Sequence, residues 1–229
     1  GRFIAATIES VLTQDYPRIE YIIVDGASTD DTADVVARYA GRLTFISEPD
    51  RGQSDAINKG FKLARGKIVA WLNSDDVFLP GAIRNAVDAL RARPDAGAVY
   101  GEGYQIDVEG NVISRFAVTQ QFNLWKLLNL SDFILQQTVF FRRSVFDEVG
   151  WIDESLYYGM DWDILMRIGL HSPIVYVPEY MGAIREYATA KSFAGGAKRA
   201  RELTQILRRR TGKMFPPGMW VYGLPTYEK

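Results

Sequence analysis

The chain has 229 residues, 47% of them hydrophobic and 13% aromatic, which is enough for one large domain with a buried core. A net charge of −1 gives no electrostatic case for nucleic acid as a partner, and the lack of cysteine excludes disulfides and thiolate metal sites. A single histidine, His171, excludes multi-histidine metal sites, and neither a signal peptide nor an apolar run of about 18 residues is visible, so we expect a cytoplasmic protein.

Helices and strands alternate through the first half of the chain. The hydrophobic pattern predicts helices over about residues 3–14, 31–40, 53–65 and 80–93, and strands over 19–24, 43–47, 68–72 and 98–100. A hairpin signal, Glu109-Gly110-Asn111, then separates strands over 104–108 and 112–116. Strict alternation of this kind is typical of a parallel sheet with crossover helices.

The opening of the chain departs from the usual order of a doubly wound sheet. The first predicted element is a helix close to Gly1, whereas such sheets usually begin with a strand. We therefore expect a preceding strand to be absent from this sequence, and expect its loss to expose a sheet edge and to lower solubility.

The second half is less regular. Its pattern predicts helices over about residues 121–128, 143–149, 159–170 and 195–210, and strands over 138–141, 173–177 and 180–184. We expect residues 1–190 to form the main domain, with the basic helix and the apolar tail of residues 191–229 packed on it.

Two adjacent carboxylates, Asp75 and Asp76, follow the predicted strand over 68–72. Ligands of open α/β sheets bind at the carboxyl ends of the strands. Adjacent carboxylates repel unless a cation or hydrogen-bond donors neutralise them, and Mg²⁺ or Mn²⁺ commonly bridges carboxylates to substrate phosphates. A helix N-cap followed by a first-turn acid, ahead of Pro80, explains the pair about equally well.

Asp25 and the dipeptide Arg51-Gly52 also follow predicted strands. Asp25 would share the sheet edge of the acidic pair and could bind a base or a ribose, although helix capping with Ser28 and Asp30 is an alternative. Gly52 allows close approach of the backbone to a ligand, and Arg51 can bind a phosphate with two hydrogen bonds. A surface turn is an equally good explanation of this dipeptide.

A third acidic cluster, with Asp161 and Asp163, begins the predicted helix over 159–170. The helix dipole favours acids at this end, which explains the cluster without a function. In the functional alternative Asp161 is a general base, because burial beside Trp162 would raise the pKa of its carboxyl into a useful range.

Basic side chains dominate the last predicted helix and the residues that follow it. A solvated face is the usual explanation, and contact with an anionic membrane surface, helped by Trp220 and Tyr222, is the minority alternative. If that alternative holds, we expect the protein at the inner face of the membrane. The basic residues are Lys198, Arg199, Arg201, Arg208, Arg209, Arg210 and Lys213.

These segments together resemble family 2 of the nucleotide-sugar glycosyltransferases. The resemblance covers about residues 1–190, and it is carried by SVLTQDYP at 10–17, EYIIVDGASTD at 20–30, DAINKG at 55–60, and the segments 71–80 and 144–167. It implies the GT-A fold, an α/β, Rossmann-like arrangement with a mixed sheet flanked by helices, here without its first strand.

The resemblance also implies an activity and a set of roles. The activity is metal-dependent, inverting transfer of a hexose-like sugar from a nucleotide diphosphate to an acceptor hydroxyl, in the assembly of cell-surface polysaccharide or glycolipid. The resemblance favours UDP as the nucleotide, because it is the usual one in the family, and a glycan or a lipid-linked acceptor. The roles are nucleotide binding by Asp25, Arg51, Gly52, Asp55 and Asp75, binding of Mn²⁺ or Mg²⁺ by Asp75 and Asp76, and general base catalysis by Asp161. From position alone, Gln136, Gln137 and Trp162 are predicted to line the acceptor side.

The chain departs from the family pattern at three positions. Asn73 stands where the acidic motif often begins with Asp, Met160 where a Glu commonly precedes the base, and Tyr187 where a His would follow Arg185-Glu186. Which carboxylate binds the metal therefore stays open, as do phosphate contacts from Arg185 or Lys191. Two alternatives also remain. One is a non-catalytic nucleotide-sugar or glycan-binding module or an inactive fragment. The other is a nucleotidyltransferase, whose glycine-rich phosphate loop is not visible.

Overall fold

The computed structural model describes residues 1–187, 190–191, 195–218 and 220–221. The first elements alternate as the hydrophobic pattern predicts, but two short strands, Ile68–Val69 and Val77–Phe78, lie between the third and fourth helices. The helices are α1 Ile4–Leu12, α2 Thr32–Ala37, α3 Gln53–Leu63, α4 Ala82–Ala92, α5 Leu124–Asn129, α6 Val145–Val149, α7 Met160–His171 and α8 Gly196–Thr211. The strands are β1 Ile22–Asp25, β2 Thr44–Ser47, β3 Ile68–Val69, β4 Val77–Phe78, β5 Ala98–Ile106, β6 Val112–Arg115, β7 Phe140–Arg142 and β8 Ile174–Arg185, and a 3-10 turn covers Gln136–Thr138.

The strands form two sheets. β1 and β2 pair in parallel as a two-stranded sheet, and the remaining strands form a six-stranded sheet in the order β3-β7-β5-β8-β4, with β6 on β5. In the larger sheet β5 and β8 are parallel, while β3–β7, β5–β7, β5–β6 and β4–β8 are antiparallel. The sheet is therefore mixed, as the family resemblance implies.

The pairing of β3 differs from the parallel arrangement that alternation in the first half predicts. Ile68 and Val69 lie opposite Arg142 and Phe141 of β7 in antiparallel register. The partner strand comes from the less regular second half of the chain, so the local pattern around β3 carries no information about its direction.

β8 is one strand, although the sequence predicts two strands around Pro178. The register between β5 and β8 shifts near Glu102, which accommodates the proline within a continuous strand. β5 has a glycine where neighbouring atoms leave no room for a side chain. A Cβ at Gly103 would lie 2.2 Å from Leu135 Cδ2 and 2.6 Å from the carbonyl oxygen of Gly182.

Alternate residues of the sheet face two apolar layers. One face packs with α3, α7 and α8 around Trp71, Phe141 and Trp162, and the other packs with α1 and α4 around Phe78 and Phe140. A third apolar cluster joins α1 and α2 to the β1–β2 sheet. Within the described residues, no helix has both the length and the apolar character that crossing a membrane requires.

Candidate functional site

A large cavity of about 1610 Å³ is lined by β1 on one side and by β3 and the loop after it on the other. We call it the central cavity, and we call residues 73–76 the acidic loop. Seven of the predicted site residues line the central cavity: Asp25, Asp75, Asp76, Gln136, Gln137, Asp161 and Trp162. Arg51, Gly52 and Asp55 are not among its lining residues.

Arg51 and Asp55 bind each other at the start of α3. Arg51 Nη2 lies 3.2 Å from Asp55 Oδ1 and 2.6 Å from Glu154 Oε2. Hydrogen bonds from the side chain and backbone of Arg51 lower the pKa of the Asp55 carboxyl. Gly52 has a φ of +116°, a conformation that favours glycine. The ion pair and the turn give Arg51, Gly52 and Asp55 a structural role. Nucleotide binding by these residues stays a prediction.

Asp25 ends β1 and holds the turn that follows. Its carboxylate accepts hydrogen bonds from the backbone N–H of Ser28 at 3.0 Å and from the hydroxyl of Ser47 at 2.7 Å. Burial raises the pKa of Asp25, but the bonds from Ser28 and Ser47 outweigh that effect and leave the pKa below its ordinary value. Asp25 is therefore an ionised acceptor on the cavity wall.

Asp76 is 2% exposed and accepts three hydrogen bonds. Gln137 Nε2 donates to Oδ2 at 2.6 Å, Asn73 Nδ2 donates to Oδ2 at 2.9 Å, and the backbone N–H of Arg185 donates to Oδ1 at 2.9 Å. Burial and the charge of Asp75 raise the pKa of Asp76 to about 7, although these three hydrogen bonds act to lower it. Both oxygens of this carboxylate are thus engaged within the protein.

Asp75 is half-buried on the cavity wall. The hydroxyl of Tyr187, the residue that replaces the expected histidine, donates to Asp75 Oδ2 at 2.7 Å. Among the described residues, no three histidine, cysteine, aspartate or glutamate side chains cluster as a metal site. One accessible carboxylate suits Mg²⁺ or Mn²⁺, because these ions take most of their ligands from water and substrate phosphates.

A chain of polar side chains connects the acidic loop to Lys191. Gln53 Nε2 donates to Asn73 Oδ1 at 2.6 Å, and Lys191 Nζ donates to Gln53 Oε1, also at 2.6 Å. Lys191 Nζ also lies 4.0 Å from the centre of the Tyr157 ring. Gln53 was not predicted as a site residue, because a glutamine at a helix start has no distinctive pattern.

Asp161 is the second residue of α7, and it faces the central cavity beside a second acid, Asp132. Burial raises the pKa of Asp161, although the N–H of Trp162, which donates to Asp161 Oδ1 at 2.8 Å, opposes the shift together with Lys191 and Arg199. Burial and the charge of Asp161 raise the pKa of Asp132 well above its ordinary value. The two carboxyls therefore titrate as a pair. Asp132 was missed because it is an isolated acid in an unpatterned segment.

The three residues predicted for the acceptor side also have structural roles. Trp162 is 2% exposed, and its Nε1 donates to the carbonyl of Leu127 at 2.9 Å. Gln136 Nε2 donates to the carbonyl of Trp71 at 2.9 Å, and Gln137 binds Asp76. Contact of these side chains with an acceptor stays a prediction.

Three of the basic residues predicted for a solvated or membrane-facing surface also bind acceptors within the protein. Arg209 donates to Asp153 at 2.6 Å, Arg210 donates to Asp163 at 2.7 Å, and Lys213 donates to Asn129 at 2.5 Å. Asp163, named with Asp161 as a helix-opening acid, is fully buried between Arg167 and Arg210. Tyr222 lies outside the described residues.

Comparison with known proteins identifies the family. Residues 1–150 match the model of the family described as glycosyl transferase family 2. The chain belongs to this family. A glycosyltransferase of Rickettsia prowazekii, itself uncharacterised, is 28% identical over 195 residues, which are 82% of this chain and 61% of that protein. The chondroitin synthase of Escherichia coli is 29% identical over 77% of this chain and 26% of its own length.

Solved structures share the GT-A fold of this glycosyltransferase. S. aureus TarS in complex with UDP-GlcNAc matches 90% of this chain and 62% of that chain, with a TM-score of 0.71 at 17% identity. The mannosyltransferase PcManGT of Pyrobaculum calidifontis, in complex with GDP-Man and Mn²⁺, matches 98% of this chain and 65% of that chain, with a TM-score of 0.67 at 23% identity. The present chain thus spans about three-fifths of the length of the Rickettsia prowazekii protein and of the TarS chain.

Proposed function

We propose that this glycosyltransferase is an inverting enzyme that moves a sugar from a nucleotide diphosphate to an acceptor hydroxyl, with Asp161 as general base. The observation that carries the proposal is that Asp25, Asp75 and Asp161, from three separate elements, line one cavity. An ionised acceptor, a carboxylate open to a cation and a carboxyl of raised pKa are what base recognition, diphosphate binding and proton abstraction require.

The donor is proposed to be a UDP-sugar that lies along the central cavity. Asp25 would accept a hydrogen bond from the N–H of the base. Asp75 would hold the Mn²⁺ or Mg²⁺, because both oxygens of Asp76 are engaged by Gln137, Asn73 and Arg185. When bound, the ion neutralises the charge of the departing diphosphate. The UDP-GlcNAc complex of TarS and the GDP-Man and Mn²⁺ complex of PcManGT support a nucleotide-sugar donor and a divalent ion.

In the transfer step, Asp161 would take the proton of the acceptor hydroxyl. The hydroxyl oxygen forms a bond to the anomeric carbon as the bond from that carbon to the diphosphate breaks on the opposite face, so the configuration inverts. Lys191 and Arg199 favour the ionised form of Asp161 against the effect of burial. The raised pKa makes Asp161 a stronger base than an exposed aspartate.

Asp161→Asn tests the role of the base. We expect donor binding to be unchanged and transfer to fall by roughly 10²–10⁴-fold, the usual contribution of a general base. The donor dissociation constant is measured by calorimetry and transfer by nucleotide release with a glycan acceptor panel. Asp147→Asn, at an exposed acid on α6, is the matched control. Equal loss of donor affinity and of transfer in Asp161→Asn would contradict the assignment.

The stereochemistry of the product and the metal requirement separate this proposal from the alternatives. An α-linked donor should give a β-linked product, which the anomeric proton coupling in NMR spectra identifies. Chelation of divalent ions should abolish donor binding, and Mn²⁺ should restore it. Donor binding by the wild-type protein with neither transfer nor hydrolysis would instead support a non-catalytic nucleotide-sugar or glycan-binding module.

The acceptor is proposed to be a glycan or a lipid-linked sugar, with peripheral membrane contact near the end of α8. Met214, Phe215 and Trp220 are 72%, 66% and 59% exposed, and they follow a basic helix. Exposed apolar side chains beside positive charge suit an anionic lipid surface. Flotation with phosphatidylglycerol vesicles tests the contact, and equal flotation of wild type and Phe215→Ser would contradict it.

A further inference from the structure

The segment just before α7 is held by one carboxylate from another helix. We call residues 157–159 the capped segment. The backbone N–H of Tyr157 donates to Glu202 Oε2 at 3.0 Å, and those of Tyr158 and Gly159 donate to Glu202 Oε1 at 2.6 and 2.9 Å. Three consecutive amides of the capped segment therefore converge on a single side chain of α8.

This arrangement holds the residues that lead into the helix, whereas an N-cap side chain binds the amides of the first helical turn. The first N–H groups of a helix lack partners within it, and a nearby anion also interacts favourably with the helix dipole. Gly159, the residue in the N-cap position of α7, has no side chain with which to accept a hydrogen bond. Glu202 supplies an acceptor from outside the helix, so the path of the chain into α7 depends on α8.

The packing around the capped segment leaves α8 little freedom to move. A Cβ at Gly159 would lie 2.6 Å from Leu203 Cδ2 and 2.7 Å from Ile206 Cδ1, so the backbone of the segment rests directly on α8. Ile206, one turn after Glu202 on α8, is buried. Arg210, one turn further along, pairs with Asp163 of α7 at 2.7 Å. Apolar contact and an ion pair thus fix α8 against α7.

Asp161 lies two residues after the capped segment. Its Oδ1 accepts a hydrogen bond from the N–H of Trp162 at 2.8 Å, so the orientation of the side chain follows that of the first turn of α7. Displacement of that turn would move the carboxylate relative to a bound acceptor. A displacement of about 1 Å at a reacting group can cost 10²-fold in rate.

We propose that Glu202 is a positioning residue for the transfer reaction: by binding the amides of the capped segment, it sets the place of the Asp161 carboxylate. This inference rests on the proposed role of Asp161 as base. Glu202 itself does not touch the substrate in this account and acts through the backbone of residues 157–159.

Glu202→Ala and Glu202→Gln test the proposal together. We expect Glu202→Ala to lower kcat by roughly 10–10²-fold while the donor dissociation constant stays unchanged. Glu202→Gln can keep Oε1, which accepts two of the three bonds, while losing the charge, so its kcat should lie closer to wild type. Arg201→Ala, at the exposed neighbouring position of α8, is the control and should match wild type.

Amide hydrogen exchange provides a readout that does not depend on activity. Exchange of the peptide that covers residues 157–162 should be faster in Glu202→Ala than in Arg201→Ala, while peptides of β5 exchange at the same rate in both variants. Unchanged exchange of that peptide, or an unchanged kcat in Glu202→Ala when wild type is active, would overturn the inference. Loss of donor binding in parallel with kcat would make Glu202 merely structural and would also overturn it. A wild-type protein without turnover would overturn the proposed function itself.

Discussion

The backbone N–H of Arg185, at the end of β8, donates a hydrogen bond to Asp76 Oδ1 at 2.9 Å. The guanidinium of the same residue donates to the carbonyl of Asp75 at 2.8 Å and to that of Asp107 at 2.7 Å. Arg185 is 4% exposed and its guanidinium already donates to backbone carbonyls, so few of its N–H groups remain for a phosphate. The end of β8 thus fixes the acidic loop in place and leaves Asp75 as its accessible carboxylate.

Substitution of the two acids of the acidic loop should have different effects. In Asp76→Asn the new amide NH2 would face the N–H groups of Gln137, Asn73 and Arg185, which need an acceptor. We therefore expect the free energy of unfolding to fall by about 1–3 kcal/mol. Asp75→Asn should leave that free energy nearly unchanged but weaken Mn²⁺-dependent donor binding by roughly tenfold or more. Urea unfolding and calorimetry measure the two effects. The reverse pattern would assign the metal to Asp76.

The pH at which Asp132 ionises should depend on Asp161. A general base works in its ionised form, so kcat rises as pH increases through the raised pKa of Asp161. The charge of Asp161 adds to burial in raising the pKa of Asp132. We therefore expect Asp161→Asn to lower the pKa of Asp132, whereas Asp132→Asn should leave the acid limb of kcat in place. A carboxyl NMR titration in which Asp132 has the same midpoint in wild type and in Asp161→Asn would contradict the coupling.

Asp163 should be important for stability. It is fully buried, and its carboxylate lies 2.9 Å from Arg167 Nε and 2.7 Å from Arg210 Nε. Asp163→Asn would remove the negative charge that two largely buried arginines share, and we expect a loss of about 3 kcal/mol in the free energy of unfolding. The control is Asp88→Asn, because Asp88 and Arg91 form an exposed pair at 3.7 Å. Similar urea midpoints for the two variants would contradict this prediction.

Two glycine-to-alanine substitutions should change stability in opposite directions. A Cβ at Gly182 would lie 2.5 Å from the carbonyl oxygen of Gln137, so Gly182→Ala must displace the 3-10 turn and should cost about 1–3 kcal/mol. Gly60 lies within α3, and its Cβ would meet only Val24 Cγ2, at 3.6 Å. Gly60→Ala should therefore raise the free energy of unfolding by about 0.5–1 kcal/mol, because alanine favours the helix. Thermal unfolding measures both changes.

The sequence predicts elements well where a long pattern specifies them. The apolar spacing over 159–170 predicts α7, which covers Met160–His171, to within one residue at each end. β4 was not predicted, because two residues, Val77 and Phe78, carry no pattern, and their partner β8 is about 100 residues away. The direction of β3 was predicted wrongly for the same reason, since its partner β7 lies in the second half of the chain.

Side chains that act on backbone groups are the hardest part of the site to predict. Asp25, Asp75 and Asp161 stand out because each follows or begins a patterned element. Glu202 does not, because the amides that it binds belong to every residue type and leave no trace in the sequence. Arg51 shows the converse, since its pattern suggests a phosphate while the structure pairs it with Asp55.

The capping of α7 from α8 also has a consequence for the order of folding during synthesis. Glu202 lies 43 residues after Gly159 in the chain. At ribosomal rates of about 5–20 residues per second, the capped segment exists for seconds before its acceptor has been made. Every strand described above is synthesised before Glu202, so the turn that carries Asp161 is still free to rearrange when the strands are complete. The proposed base would be among the last parts of the molecule to reach its final geometry.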